Sequence, residues 1–264
     1  MTTAAALTDT DRWDAYWRAV ELPVEARDDR EASTAAILST IDRFAASDAP
    51  RSVLEIGGAP GGYLVHFWRR FNYQVCVLDS SAVGVEMTAR NFQLLGVPGR
   101  VIHGDLFAPP EPRRRFDIVY SLGLIEHFAD TAAVIAAHLE FVRPGGTLIV
   151  GCPNFRGLNL ALLRWLSPSM LAWHNLEAMN VSRWPEFERS LGLEVQFRGY
   201  IGGFQPAAFW RCERDSIWAR ALRRALIEVG RWRNGSPGRE LSRLNSRFWS
   251  YYCLAVYRKP PGNA

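Results

Sequence analysis

Two rhythms of apolar and polar positions divide the chain. From Thr10 to Ala46 the apolar side chains recur at helical spacing. Trp13, Tyr16, Trp17 and Val20 fall at i, i+3, i+4 and i+7, and a second set runs from Ala35 to Phe44, which predicts a helical preface. Short runs then follow at Val53–Ile56, Val75–Leu78, Arg100–His103, Phe116–Ser121 and Thr147–Cys152, each closed by turn residues or a helical stretch. Strands that alternate with helices pair in parallel through right-handed crossovers, so this half predicts a doubly wound α/β sheet. After Cys152 the spacing loosens: Pro153–Arg189 is Leu- and Trp-rich and mostly helical, and it reads as an insertion over the sheet edge. A strand at Glu194–Gly199, a helix at Ser216–Trp232, a loop at Asn234–Gly238 and a last strand at Ser250–Tyr257 complete the pattern.

The chemistry concentrates where the first of these strands ends. Val53-Leu54-Glu55-Ile56 runs straight into Gly57-Gly58-Ala59-Pro60-Gly61-Gly62-Tyr63, an apolar strand followed by small residues and a helix. Glycines there let a ligand approach the backbone closely. Asp79 ends the second strand 22 residues after Gly57, where a carboxylate can accept both hydroxyls of a ribose. Asp105, followed by Leu106, ends the third strand and is placed to accept from an adenine amino group. Together these residues describe an adenosine pocket at the carboxyl edge of the sheet. A dinucleotide site calls for Gly-x-Gly-x-x-Gly and a helix N-terminus free for pyrophosphate. Here Ala59 takes the second glycine position, and the charge of Glu55 opposes a phosphate. Glu55 suits a cationic, amine-bearing ligand instead, and the simplest is S-adenosylmethionine.

The chain resembles the class I S-adenosylmethionine-dependent methyltransferases over roughly residues 50 to 155. The matching stretches are Glu55–Gly61, Leu78-Asp79, Gly104-Asp105-Leu106, Phe116–Val119 running into Ser121–Phe128, and the turn Arg143–Leu148, in the family's order. The resemblance implies a Rossmann-like, seven-stranded, mostly parallel sheet whose last strand is antiparallel, with helical cap insertions. It further implies one domain over 1–264, with an N-terminal helical lid (1–48), a cofactor-binding core (49–152), a helical cap (153–193) and C-terminal strands (194–264) carrying a helical insertion at 205–247. The cofactor contacts it implies are Glu55, Gly57, Gly58, Ala59, Gly61, Tyr63, Asp79, Ser80, Asp105, Leu106, Ser121, Leu122 and Gly123.

The acceptor is narrowed by exclusion. Gly-Ala-Pro-Gly-Gly also resembles the RNA ribose 2′-O-methyltransferases, whose chemistry relies on two lysines and two acids. Lys259 is the only lysine of 31 basic residues, and Ser121-Leu122-Gly123 stands where an acidic motif is expected. The Asn/Asp-Pro-Pro-aromatic motif of base-amino methylation is also missing. A net charge of +4 is mild for a nucleic-acid protein, so nucleic acid is disfavoured as substrate. Ser121–Phe128 followed by a long helical insertion resembles bacterial methyltransferases of small metabolites, which implies transfer to an oxygen or nitrogen by in-line displacement. His127, at the end of the fourth strand, is the first candidate for a general base, and His174 on the cap is the second, against a structural role that is the commoner reading for each. Trp13, Tyr16, Trp17 and Trp173 are candidate substrate contacts, with Trp165, Phe204 and Trp210 further afield, although helix packing accounts for the same spacing. No metal is expected, Asp130 and Asn154 being the residues that such a route could draw on. A catalytically silent binding protein and a lipid-quinone or RNA methyltransferase remain as alternatives. In the lipid reading, the arginine-rich helix at 216–232 makes peripheral membrane contact; the competing reading has it cover the sheet with its arginines in water.

Composition adds limits. The 264 residues, 48% hydrophobic, can bury a sizeable core. Cys76, Cys152, Cys212 and Cys253 are scattered with no metal-ligand spacing, so a reduced compartment without structural zinc is expected. No signal-peptide pattern and no run of about 18 apolar residues is present, and the expectation is a cytoplasmic monomer or homodimer.

Overall fold

Successive residues of the inner strands alternate between two buried layers. In a computed structural model that describes residues 5–29, 31–110, 114–205, 213–234 and 244–261, seven strands lie in the order β3-β2-β1-β4-β5-β7-β6. They are β1 (Ser52–Ile56), β2 (Gln74–Asp79), β3 (Arg100–His103), β4 (Phe116–Leu122), β5 (Val142–Pro153), β6 (Glu194–Ile201) and β7 (Tyr252–Arg258). β3, β2, β1, β4 and β5 pair in parallel, and β7 runs antiparallel between β5 and β6. Both faces are covered, so the inner parallel strands are mostly apolar on both sides. Leu54, Ile56, Val119 and Val150 pack into one layer with Trp184, while Val53, Val77, Ile118 and Tyr120 pack into the other with Phe67 and Ile41.

The helices are α1 (Thr10–Arg18), α2 (Ala32–Ala45), α3 (Gly62–Phe71), α4 (Ala82–Leu95), α5 (Thr131–Leu139), α6 (Leu158–Leu166), α7 (Trp184–Ser190) and α8 (Ile217–Asn234). Side-chain caps define several starts: Asp9 accepts from Arg12 N, Ser81 from Gly84 N, and Asp130 from Ala133 N. Asp130 is therefore a helix cap. Asn154 is likewise structural, its amide donating to the Arg247 and Ser250 carbonyls.

Several features depart from expectation. The helical preface is two helices separated by extended chain, and β5 begins at Val142 rather than at Thr147. In α8, Ala219 and Leu226 are buried and Leu222 packs against the core, whereas Trp218 is 75% exposed and Val229 is also exposed. Residues 5–8 form an unpredicted strap, with Ala6 bridged to Phe128, Leu7 N donating to His127 O at 2.8 Å and Ala129 N to Ala5 O at 3.0 Å. Cys152 and Cys253, distant in sequence, are cross-strand partners with sulfurs 3.3 Å apart. Trp210 and Cys212, much of the 205–247 insertion and most of the 234–238 loop lie outside the described residues. Among the described residues no helix is long and apolar enough to cross a membrane.

Candidate active site

In an open α/β sheet the strand order reverses between β1 and β4, and the crevice beyond those strand ends is the natural ligand site. A cavity of about 540 Å³ opens there, lined by the β1–α3 turn, the ends of β2 and β4, α1, and the cap.

The cofactor end is built from the glycine turn. Gly57 has φ +64°, which favours glycine, and its N–H donates to Leu78 O at 2.8 Å, closing the turn against β2. A Cβ on Gly58 would stand 2.1 Å from Glu55 Cγ and 2.6 Å from its Oε2, so glycine here makes room for the Glu55 carboxyl. Gly58→Ala is expected to displace that carboxyl and weaken S-adenosylhomocysteine binding about tenfold, read by calorimetry. Asp79 Oδ1 accepts from Ser81 N at 2.8 Å and Oδ2 from Ala59 N at 3.2 Å. One carboxylate thus ties both loops together and keeps lone pairs for a ribose diol.

Glu55 is 4% exposed, and its Oε2 has no hydrogen-bond partner among the described residues. Burial pushes its pKa up to about 8; the nearby Tyr120 hydroxyl works against that shift, and the Asp79 charge adds a smaller push upward. A buried, unpaired carboxyl fits the ammonium and sulfonium of S-adenosylmethionine, which would be held by Glu55, the Gly57–Ala59 backbone and Asp79. The titration gives a signed prediction. Below about pH 8 the free protein holds Glu55 protonated, and the cation-binding form gains population as pH rises. Affinity for S-adenosylhomocysteine should therefore climb some tens of fold from pH 6 to 8, up to tenfold per unit, with proton release. Glu55→Gln should flatten that profile.

The coil between α1 and α2 closes this end. Asn91 pins it, accepting from Val24 N and donating to Val24 O and Pro60 O, all within 2.9 Å. That brings Glu25 and Arg27 to the rim, Arg27 being the only arginine or lysine among the described lining residues. α1 lies across the opening: Ser81 Oγ donates to Asp14 at 2.5 Å, and Trp17 packs over Gly84.

The other end is a polar cluster between aromatic walls. After β4, Gly123 (φ +83°) turns the chain into a 3-10 turn, Ile125–His127, which buries Glu126 and His127. His127 Nδ1 lies 3.3 Å from the Trp173 carbonyl and 3.0 Å from Thr8 Oγ1. The carbonyl can only accept and the Thr8 hydroxyl can do either, so a proton on Nδ1 satisfies both contacts and leaves the Nε2 lone pair free. His174 repeats this, donating from Nδ1 to Met170 O at 2.5 Å. Burial, and then His174, push the His127 pKa down to about 4, and burial lowers that of His174, so both imidazoles are neutral near pH 7. Burial pushes Glu126 up to about 8, and its Oε2 has no partner among the described residues. Trp13 meets the His127 ring edge-on at 4.8 Å between centroids, and His174 stands 4.6 Å away. Asn175 N donates to Glu126 O at 2.6 Å, locking the cap to the turn.

Most of the expected site converges. Glu55, Gly57, Gly58, Ala59, Tyr63, Asp79, Ser80, Leu122, Gly123, His127, His174, Trp13, Tyr16, Trp17 and Trp173 all line the one cavity. Four expected contacts do not. Asp105 is exposed, its carboxylate turned back to accept from Phe107 N at 3.0 Å, and Leu106 is buried in the core. Ser121 is buried behind the cavity, hydrogen-bonded to His138 Nε2, and Gly61 packs against Phe92 as the N-cap of α3. Sequence reasoning missed Arg27, Thr8, Phe155 and Tyr251, and it missed that Glu126 lies near His174 as well as His127. Lys259 is spent on the Leu139 and Val142 carbonyls and does not line the cavity.

A reversing parallel sheet with an antiparallel β7, an acid-flanked glycine turn and a buried unpaired Glu55 defines a class I S-adenosylmethionine-dependent methyltransferase. The chain belongs to the methyltransferase domain family, whose model matches residues 28–199. It is similar to a ubiquinone biosynthesis O-methyltransferase from Rhizobium etli (strain CIAT 652), 29% identical over 174 residues, 62% of this chain and 68% of that one. A protein of the same name from Rhodopseudomonas palustris (strain BisB18) is 30% identical over 127 residues, so the chain spans about half the length of that relative (48%) and 44% of itself. An ajmaline N-methyltransferase from Rauvolfia serpentina is 26% identical over 47% of each chain. Among solved structures, the [4+2]-cyclase SpnF matches with TM-score 0.61 at 14% identity, covering 99% of this chain and 98% of that one. The geranyl diphosphate C-methyltransferase of Streptomyces coelicolor A3(2) matches with TM-score 0.60 at 13% identity, covering 95% and 97%. At such identities the structures attest the fold alone, and the reaction has to be argued from the site.

Proposed function

We propose that this chain transfers the methyl group of S-adenosylmethionine to an oxygen or nitrogen of a small, flat metabolite, in the cytoplasm, as a monomer or homodimer. The observation that carries this reading is a single cavity with the unpaired Glu55 carboxyl at one end and two neutral, Nε2-presenting histidines at the other. Residues 1–48 act as its lid, and the cap, with Trp173 and His174, as its acceptor wall. Asp79 takes the ribose hydroxyls, Glu55 the ammonium, and Arg27 at the rim the carboxylate.

Transfer is an in-line displacement. The acceptor's lone pair attacks the methyl carbon as the carbon–sulfur bond breaks, and the sulfur leaves as a neutral thioether. Charge is lost along the way, so alignment and exclusion of water supply much of the rate. Trp13, Trp17, Phe155 and Trp173 provide the dry walls, and His127 and His174 are the groups that activate the nucleophile. The names of the relatives, one group acting on oxygen and another on nitrogen, support a small-molecule acceptor.

The test is methyl transfer from labelled S-adenosylmethionine to a panel of phenols, catechols, amines and carboxylates. A labelled product from at least one is expected. Tight S-adenosylhomocysteine binding with no product from any member would mark a silent binding protein instead.

A further inference from the structure

We propose that Glu126, His127 and His174 form a divalent transition-metal site at the acceptor end of the cavity, ligating through the Glu126 carboxylate and the two Nε2 atoms, and that it selects an acceptor carrying two adjacent oxygens. The proposal rests on the methyltransferase reading above and narrows its substrate class.

Three observations carry it. One ligand atom from each residue lies within 4.8 Å of the others, and His127 Nε2 is 3.9 Å from Glu126 Oε1. Both imidazoles spend Nδ1–H on a backbone carbonyl, Trp173 O for one and Met170 O for the other. That outer hydrogen bond fixes the tautomer of a metal-binding histidine and aims its Nε2 lone pair. The third is Glu126 itself, 1% exposed, with Oε2 unpartnered among the described residues. An unpaired buried carboxyl is costly, and a cation between it and two imidazoles removes that cost.

Ligand type argues for the metal class. Two imidazoles and one carboxylate suit Zn²⁺, Fe²⁺ or Mn²⁺, whereas Mg²⁺ and Ca²⁺ favour all-oxygen cages. Bonds of about 2.1 Å draw neighbouring ligand atoms to roughly 3 Å, so the trio contracts by about 1–2 Å on loading. His174, half-buried on the cap, has room to make that movement. Three protein ligands leave coordination positions open towards the cavity. Paired oxygens on a flat ring, held between Trp13 and Trp173, would fill two of them. Coordination lowers the pKa of the attacking hydroxyl, whose proton leaves to solvent. The oxygen then forms the new bond to methyl carbon, the sulfonium keeps the electron pair of the broken bond, and no oxidant or reductant is needed.

The test uses the full, tag-free chain stripped with chelator, then titrated with Zn²⁺ and Mn²⁺ by calorimetry and with Co²⁺ by visible absorption. One equivalent is expected to bind, with Co²⁺ bands of a low-symmetry nitrogen–oxygen site. His174→Gln and Glu126→Gln should each weaken binding at least about tenfold. S-adenosylhomocysteine affinity should be unchanged in His174→Gln, which also shows that this variant is folded. Wild-type protein that binds no stoichiometric cation, or a His174→Gln variant that binds as tightly as wild type, overturns the site while leaving the cofactor reading intact. Failure of the wild type to bind S-adenosylhomocysteine overturns the reading beneath it.

Discussion

Asp79→Ala is expected to weaken S-adenosylhomocysteine binding by about two to three orders of magnitude, measured by calorimetric titration at fixed pH. The size follows from two losses in one substitution. A ribose diol donates two hydrogen bonds to a single carboxylate, each charge-assisted and worth about 1.5–3 kcal/mol. The same carboxylate holds Ala59 N and Ser81 N, so its removal also frees the turn that cradles the ligand. Burial holds the Asp79 pKa above the ordinary range, and the two N–H donors work against that shift. The carboxylate therefore depends on the loops as much as they depend on it. Asp105→Ala serves as the matched control and should leave affinity unchanged, because that side chain is exposed and satisfied by its own turn. Loss of affinity in both variants alike would mean that the ribose is not held at the end of β2.

The contrast between Asp79 and Asp105 shows what sequence makes legible. The inner strands β1, β2, β4 and the second half of β5 were visible as mostly apolar runs between turns, because a parallel sheet covered on both faces leaves little polar alternation to confuse the pattern. The spacing from Gly57 to Asp79 is set by one βα unit, whose length the fold fixes. Asp105 looked equivalent, but an aspartate one residue beyond Gly104 can bond its own backbone two residues on, and that local bond prevailed. The acceptor end was half legible. His127 follows directly from the end of β4, whereas its meeting with His174 depends on an irregular cap of short 3-10 turns that has no period to read. Arg27 was hidden for another reason: it stands among Glu25, Asp28 and Asp29 in a coil with no period to read, and only the Asn91 clamp on Val24 brings the arginine to the rim. The four dispersed cysteines likewise gave no hint that Cys152 and Cys253 face each other across β5 and β7.

His127→Phe should lower kcat for methyl transfer by about three orders of magnitude while leaving S-adenosylhomocysteine affinity unchanged. Phenylalanine keeps the ring between Trp13 and His174, so the lid retains its packing, and only the two nitrogens are lost. Losing Nδ1 releases the Thr8 hydroxyl and the Trp173 carbonyl; both have access to the cavity or to each other, Thr8 Oγ1 lying 3.5 Å from Trp173 O. Losing Nε2 removes the lone pair at the acceptor's oxygen, whether it takes the proton directly or holds a cation that lowers the oxygen's pKa. Burial pushes the His127 pKa down to about 4, so the neutral imidazole keeps its lone pair available for the acceptor's proton across the working pH range. Thr8→Val should cost much less, because the Trp173 carbonyl still accepts from Nδ1. Wild-type turnover in His127→Phe would reduce the imidazole to a packing element beneath α1, and activation of the acceptor would have to be sought elsewhere along the cavity wall.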